Sequence, residues 1–236
     1  MTIWRSIADT LRDEIARGHH VAGSRLPTEA VLAARFGVNR HTIRQALAAL
    51  ADEGLVRSRR GAGVFVLAVP VDYPLGQRVR FHHAVALAGR IPGRQIDYVA
   101  TRPADPAEVA ALDLVQGAQV HVAEGASLID GEAVALFRSV FPADLLPDLP
   151  AALAEGPGVT AALTRCGIAD YTRAQTRITA RVADAAQAVR LGAVTGDALI
   201  RTEALNVTPD GRRIEYGVTW WLAARVTLTV AADQPS

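Results

Sequence analysis

The stretch that decides the fold reads Arg25-Leu26-Pro27-Thr28-Glu29, then Phe36-Gly37-Val38-Asn39-Arg40-His41-Thr42-Ile43-Arg44-Gln45-Ala46-Leu47, then Arg57-Ser58-Arg59-Arg60-Gly61-Ala62-Gly63-Val64-Phe65-Val66. Thr28 and Asn39 are side chains that accept orphan backbone N–H groups at helix starts. Gly37 between them supplies the positive φ of a sharp turn. A helix is therefore expected after Thr28, carrying Val31, Leu32 and Phe36 inward. The next runs from about Arg40 to Glu53, with Ile43, Leu47 and Leu50 at i, i+4 and i+7 and Ala46 on the same face. Gly54 stands where a terminating glycine belongs. Upstream, Ile7, Leu11 and Ile15 predict a first helix over Ile3–Arg17, ended by Gly18. Downstream, Leu55-Val56-Arg57 and Val64-Phe65-Val66 predict two short strands around a basic tip, Arg59-Arg60-Gly61-Ala62-Gly63.

Asn39, Arg40, His41, Arg44 and Gln45 fall in the first turns of the third helix, off its apolar stripe. They are the donors and acceptors that reach base edges when a helix N-terminus enters a major groove. The guanidinium fork suits guanine. Thr42 and the N–H groups at the helix start suit a phosphate, and Arg59, Arg60 and the glycines of the tip suit close approach to DNA. Charge agrees: residues 1–68 hold 10 arginines against 6 acidic residues, and the remainder 15 against 18. The basic part is where nucleic acid is expected to bind, by release of phosphate counterions.

This segment resembles the winged helix-turn-helix of the GntR family of bacterial regulators. Members share a Leu-Pro-Ser/Thr-Glu entry, a Gly-Val-Ser-Arg-x-Thr-Val-Arg-x-Ala-Leu core and a Gly-x-Gly-x-Phe-Val wing, matched here by Leu26–Glu29, Gly37–Leu47 and Gly61–Val66. The resemblance spans residues 1–68 and implies DNA contacts at Arg40, Arg44 and Gly63, with Arg25 and Thr42 beside them. Many relatives place an arginine directly after the entry glutamate. This chain has Ala30 there, which implies an operator different from the commonest one.

At 236 residues the chain is long enough for two domains. A linker is expected at 69–76, where Pro70 and Pro74 break regular structure, followed by a second domain over 77–236. That part repeats itself. Asp105-Pro106-Ala107-Glu108-Val109-Ala110-Ala111-Leu112 returns as Asp184-Ala185-Ala186-Gln187-Ala188-Val189-Arg190-Leu191, and Gly117 and Glu124 as Gly196 and Glu203, at an offset of 79. The pair Asp130-Gly131 returns as Asp210-Gly211 at 80. Each copy reads as a strand, a helix capped by Asp105 or Asp184, a turn, and a hairpin through Asp-Gly, the favoured two-residue hairpin turn. Two such units predict one antiparallel sheet with helices on a face, an α+β domain related by a pseudo-twofold, with a ligand cleft between or beside the halves.

The second domain resembles the UTRA effector domain of HutC-like GntR regulators, over about 77–232, which implies a chorismate-lyase-like fold, a small-molecule effector and a homodimer. Within that branch the chain resembles regulators of phosphonate utilisation at Tyr73-Pro74-Leu75-Gly76-Gln77-Arg78-Val79-Arg80-Phe81, at Asp170-Tyr171 through Arg181, and at Asn206-Val207 through Thr219. Sugar-phosphate-sensing relatives often carry Arg-x-Arg before the first Asp-Gly and a glutamate in the following strand. Here Gly125-Ala126-Ser127 and Phe137 stand instead, so a sugar phosphate held that way is not expected. Arg80, Arg138, Arg173, Arg177 and Arg225 are candidates for an anion, phosphonate or phosphate, because the fork pairs two oxygens. Glu203, Glu215 and Thr219 are candidates for an amine or hydroxyl, with Ser127 and Trp221 beside them. Trp220 and Trp221 must face opposite sides of their strand.

Other classes find little support. The six histidines (His19, His20, His41, His82, His83, His121) and the single Cys166 form no metal-ligand spacing, and no nucleophile, Walker or dinucleotide motif occurs. No catalytic residue, metal or cofactor is expected. His19-His20 and His82-His83 read as solvated or hydrogen-bonding, and Cys166 as a packed thiol. Met1-Thr2-Ile3-Trp4-Arg5 lacks the apolar core of a signal peptide, and no apolar stretch approaches the roughly 18 residues of a membrane span, so a cytoplasmic protein is expected. The expectation is a repressor on an inverted-repeat operator of double-stranded DNA. The alternative is a HutC-like regulator of amino-acid or amino-sugar catabolism, and behind it an architectural DNA binder.

Overall fold

A computed structural model describes residues 2–20, 23–59, 61–67, 70–76, 81–156 and 158–230. The chain divides into two compact units, Met1–Pro70 and Val71–Ser236.

The first unit holds α1 (Ile3–Ala16), α2 (Glu29–Phe36), α3 (Arg40–Asp52), β1 (Val56–Arg59) and β2 (Gly63–Val66). Thr28 caps α2 by accepting from the Val31 N–H at 3.4 Å, and Asn39 caps α3 by accepting from the Thr42 N–H at 2.9 Å. Gly37 joins them in the left-handed region at φ 64°. Ile7, Leu11, Leu32, Ile43, Ala46 and Leu50 close the core. Val31 was expected inside but is exposed. The stripe of this short helix runs through Leu32, Ala33 and Phe36, and Val31 lies one 100° step off it. Arg12 donates to the Glu53 carboxylate through two nitrogens, Nε at 2.8 Å and Nη2 at 2.7 Å, tying α1 to α3. Arg35 does the same for Glu14 and holds that carboxyl below its usual range, so α2 is tied to α1 as well.

The second unit begins earlier than its sequence suggested. The stretch read as a linker contains β3 (Val71–Pro74), which pairs in parallel with β10 (Val226–Thr229). Between them lie α4 (Phe81–Leu87), β4 (Pro92–Pro103), α5 (Pro106–Leu112), β5 (Gln119–Ile129), β6 (Glu132–Pro142), α6 (Leu149–Glu155), α7 (Val159–Arg165), β7 (Thr172–Val182), α8 (Ala185–Leu191), β8 (Ala198–Val207) and β9 (Arg213–Leu222). The six long strands form one antiparallel sheet in the order β4-β5-β6-β9-β8-β7. This is the repeat made visible: β4-α5-β5-β6 is one copy, β7-α8-β8-β9 the other, and they meet at β6 and β9. Arg138 and Val218, mates at the offset of 80, are paired directly across that seam, so the pseudo-twofold passes between them.

Both helix starts are full capping boxes. Asp105 and Glu108 exchange bonds of 2.9 Å, and Asp184 accepts from the Gln187 N–H at 2.8 Å while Gln187 returns one at 3.2 Å. The hairpins differ. Asp130 and Gly131, at φ 52° and 83°, form the expected two-residue turn. Asp210-Gly211 instead sits in a loop closed by the Thr208 N–H on the Arg212 carbonyl, with three residues between them where Ile129 and Glu132 have two, which is the extra residue behind the change of offset.

One sheet face packs on α5 and α8. Val120, Val122 and Val140 meet Leu112, and Ala126, Leu136, Leu199 and Leu222 meet Ala188 and Leu191. The helices cross over, with α5 on β9 and α8 on β6. Arg213 of β9 donates to the carbonyls of Ala110 and Ala111, and Arg190 of α8 meets Asp97 of β4 at 2.6 Å. Among the described residues, the opposite face is covered at its two ends. Tyr73, Phe81, Val85 and Trp221 pack at one end, and α6 and α7 with Phe141 and Leu146 at the other.

Gly125 on β5 marks how tightly the β4 bulge closes over the sheet. A methyl there would stand 1.9 Å from the Gln95 carbonyl oxygen and 2.9 Å from Cζ of Phe137. Gly125→Ala is expected to destabilise the protein by roughly 3 kcal/mol or more, read as a lower urea midpoint. Gly217→Ala, whose methyl would come no nearer than 3.7 Å to the Glu215 carboxylate, should change stability by less than about 1 kcal/mol. Equal losses in the two variants would contradict this packing.

Candidate functional sites

In the first unit, Arg40, His41, Arg44 and Gln45 are all exposed on the first turns of α3. Asn39 is committed to its cap, its side-chain oxygen also accepting from the Thr42 hydroxyl at 3.0 Å. Arg44 is paired with Glu29 at 2.8 Å across the helix–helix turn. At such exposure the pair is worth at most about 1 kcal/mol, so it orients Arg44 without locking it. Arg25 bridges to Phe65 as a third strand of the wing. A methyl on Gly63, which has φ 109°, would lie 2.5 Å from Arg25 Nε, so glycine here lets that guanidinium cross the wing. Arg60 and the side chain of Arg59 lie outside the described residues.

The second unit holds a cleft of about 460 Å³ on the face left open between the two end covers. Its floor is polar. Of the nine polar or charged residues that are buried among those described, five line it: Ser127, Ser139, Thr202, Asn206 and Glu215. The Asn206 amide donates to Glu215 at 2.7 Å, and Trp221 Nε1 donates to the Thr202 hydroxyl at 3.0 Å. Tyr73, Phe81 and Trp221 form an aromatic end wall, with Tyr73 and Trp221 centroids 4.7 Å apart.

Two arginines reach this cleft, one from each copy. Arg94 on β4 pairs in register with Ser127, and Arg173 on β7 with Asn206. Both members of each pair are mates at the offset of 79, so the pseudo-twofold exchanges the arginines. The Nε atoms of both are buried and have no hydrogen-bond partner among the described residues. The Arg94 guanidinium lies flat on Phe137, its Cζ 3.6 Å from the ring centroid. Burial pushes its pKa below the ordinary arginine value, opposed by the Glu215 carboxylate. Arginine stays charged in proteins, so buried N–H donors without acceptors are a cost that an anion would relieve.

Of the effector candidates read from the sequence, Ser127, Arg173, Glu215, Thr219 and Trp221 line the cleft. Trp220 faces the other side, as alternation requires, and packs beside Leu199 and Leu222. Arg138, Arg177 and Glu203 lie on the helix-bearing face instead. Arg138 pairs with Glu108 at 3.3 Å and Glu124 at 3.5 Å, Arg177 stands in register with Glu203, and Glu203 accepts from Arg201 and Tyr216. Arg225 clamps the carbonyls of Ala133 and Leu191. Arg80 lies outside the described residues. Sequence reading missed Arg94, although Arg173 and the offset of 79 point straight to it. It also missed Asn206, the mate of Ser127. His82 was read as solvated or hydrogen-bonding, and its Nε2 is buried without a partner among the described residues. Cys166 packs beside α6 and α7, and burial raises its thiol pKa.

No helix among the described residues is long and apolar enough to cross a membrane, and no group of three His, Cys, Asp or Glu among them could hold a metal ion.

Each of the two units matches a known protein family domain. Residues 4–66 match the model for bacterial regulatory proteins of the gntR family, and residues 87–227 match the UTRA domain. An HTH-type transcriptional regulator of Rhizobium meliloti (strain 1021) is 36% identical over 231 residues, covering 98% of this chain and 95% of the relative. The "Probable transcriptional regulator PhnF" of Escherichia coli (strain K12) is 35% identical, covering 97% and 95%. The crystal structure of PhnF from Mycobacterium smegmatis superposes with a TM-score of 0.69 at 27% identity, over 96% of this chain and 99% of that one. These relatives are transcription regulators, not enzymes; the gntR match covers the unit that carries α3, and the UTRA match covers the unit that holds the polar cleft. The chain belongs to the GntR family of transcription regulators, with a UTRA effector domain behind its winged helix.

Proposed function

We propose that this regulator is a repressor that leaves its operator when a small anionic metabolite, a phosphonate or phosphate, occupies the cleft. We propose further that its target genes serve phosphonate or phosphate acquisition. The observation that carries this reading is the pair Arg94 and Arg173, two pseudo-symmetric guanidinium groups whose buried Nε donors have no partner among the described residues. An oxyanion answers such donors, and the planar fork suits its paired oxygens. The Arg94 half-site takes the oxyanion. Arg173, Asn206 and Glu215 take the polar group at the other end of the ligand. Likeness to the PhnF regulators along nearly the whole chain supports the pathway.

Release follows by linkage. The protein acts as a homodimer on an inverted repeat in the cytoplasm, presenting α3 of each arm to a major groove. The effector frees the operator to the extent that it binds the DNA-incompetent arrangement more tightly than the DNA-bound one.

Arg94→Ala is expected to bind operator normally yet need roughly ten- to a hundredfold more of any phosphonate for half-release in a gel-shift assay, the loss of charged hydrogen bonds. Arg173→Ala should show that loss only for phosphonates with a second polar group. Unaltered release in Arg94→Ala would remove the cleft from effector sensing. At the other end of the chain, Arg44→Ala should weaken operator binding by roughly 1–3 kcal/mol while affecting a scrambled duplex less, measured by fluorescence anisotropy. Unchanged affinity would exclude Arg44 from the DNA contact.

A further inference from the structure

His82 stands in the first turn of α4 and lines the cleft, its Nε2 buried and unpartnered among the described residues. It shares a space with Arg94. A methyl built on Gly158 would lie 3.7 Å from His82 Nε2 and 3.5 Å from Arg94 Cδ. The two side chains thus both border the space beside Gly158, at φ 149°, that a side chain there would fill. Among the described residues, the ionisable groups that share this cleft with the imidazole are Arg94 from β4, Tyr73 from β3, Arg173 from β7, Tyr171 just ahead of it, Glu215 from β9, and His83 on the same helix.

Resting on the reading of the cleft as an oxyanion site, we propose that His82 is the second ligand of the oxyanion held by Arg94, and that it takes up one proton from solvent as the anion binds. Neutral imidazole offers Nε2 as a donor in only one tautomer and as a repelling lone pair in the other. The imidazolium offers an N–H to the anion in every case and cancels one of its charges. Burial, then the Arg94 cation, hold the imidazole pKa below its ordinary value, so it is neutral at neutral pH in the arrangement described. An oxyanion placed between the two side chains reverses both the charge balance and that preference.

The sign follows. Binding raises the His82 pKa, so the complex holds more protons than the free protein. Affinity therefore rises as pH falls through the histidine range, by at most about tenfold per pH unit for one proton.

The test uses the full chain with three probes: sulfate, methylphosphonate and inorganic phosphate. Sulfate does not titrate in this range and isolates the proton taken up by the protein. Titration calorimetry from about pH 8 to about pH 6, in pairs of buffers differing in ionisation enthalpy, reads affinity and proton uptake together. The expected result is severalfold tighter sulfate binding per pH unit with net proton uptake in the wild type, and weaker, pH-independent binding in His82→Gln. Uptake in the wild type is read without any variant, so a folding defect in His82→Gln does not blunt the test. Binding without uptake, or an equal slope in His82→Gln, overturns the role of His82 while leaving the anion site standing. Failure of all three probes to bind at any pH overturns both. A tighter affinity for methylphosphonate than for phosphate and sulfate identifies a phosphonate rather than free phosphate as the source of the oxyanion.

Discussion

The second unit depends on the pairing of β6 with β9. Phe137 opposite Thr219 and Ser139 opposite Gly217 join two copies of one motif into a continuous sheet, with Arg138 and Val218 on the dyad. Without that seam neither copy closes its core, because the helix of each packs over the strand of the other. The Arg213 bonds to α5 and the Arg190–Asp97 pair reinforce the exchange. The seam also makes the cleft. It brings polar side chains of both copies onto one floor and carries Arg94 and Arg173 in from the outer strands.

Symmetry is then broken by what surrounds each arginine. Arg94 lies on Phe137, near His82 and Gly158, and its register partner is Ser127. Arg173 has Asn206 as its partner, and Asn206 is bonded to the Glu215 carboxylate. The offset of 80 sets Gly217 where Phe137 stands and Ala135 where Glu215 stands. The duplicated fold thereby carries two unlike sides in one cleft: Arg94 beside an aromatic ring, a serine and a histidine, and Arg173 beside an amide bonded to a carboxylate.

Much of this was legible in the sequence. Local chemistry wrote the Thr28 and Asn39 caps, the left-handed Gly37 and both capping boxes, because each needs only neighbours within a few residues. The repeat predicted one antiparallel sheet with helices on a face, though not the order of its strands. What was not legible came from tertiary partners. Arg138, Arg177 and Glu203 read as effector ligands until the sheet placed them on the helix-bearing face among Glu108, Glu124, Arg201 and Tyr216. Pro70 and Pro74 read as a linker because the partner of β3 lies some 150 residues downstream, at Val226–Thr229. Arg94 was within reach, since a repeat that returns Asp105 at Asp184 also returns Arg94 at Arg173. Val31 failed for a different reason, as an eight-residue helix is too short for its apolar stripe to be unambiguous.

The central claim is that one ligand is held from both halves across the dyad. It is tested most directly by a crystal structure of the full chain with an aminoalkylphosphonate. The account predicts a single molecule in the cleft, its oxyanion within hydrogen-bond reach of Arg94 and its other polar end on Arg173, Asn206 or Glu215. A ligand contacted by one copy alone, or seated on the helix-bearing face, would contradict it.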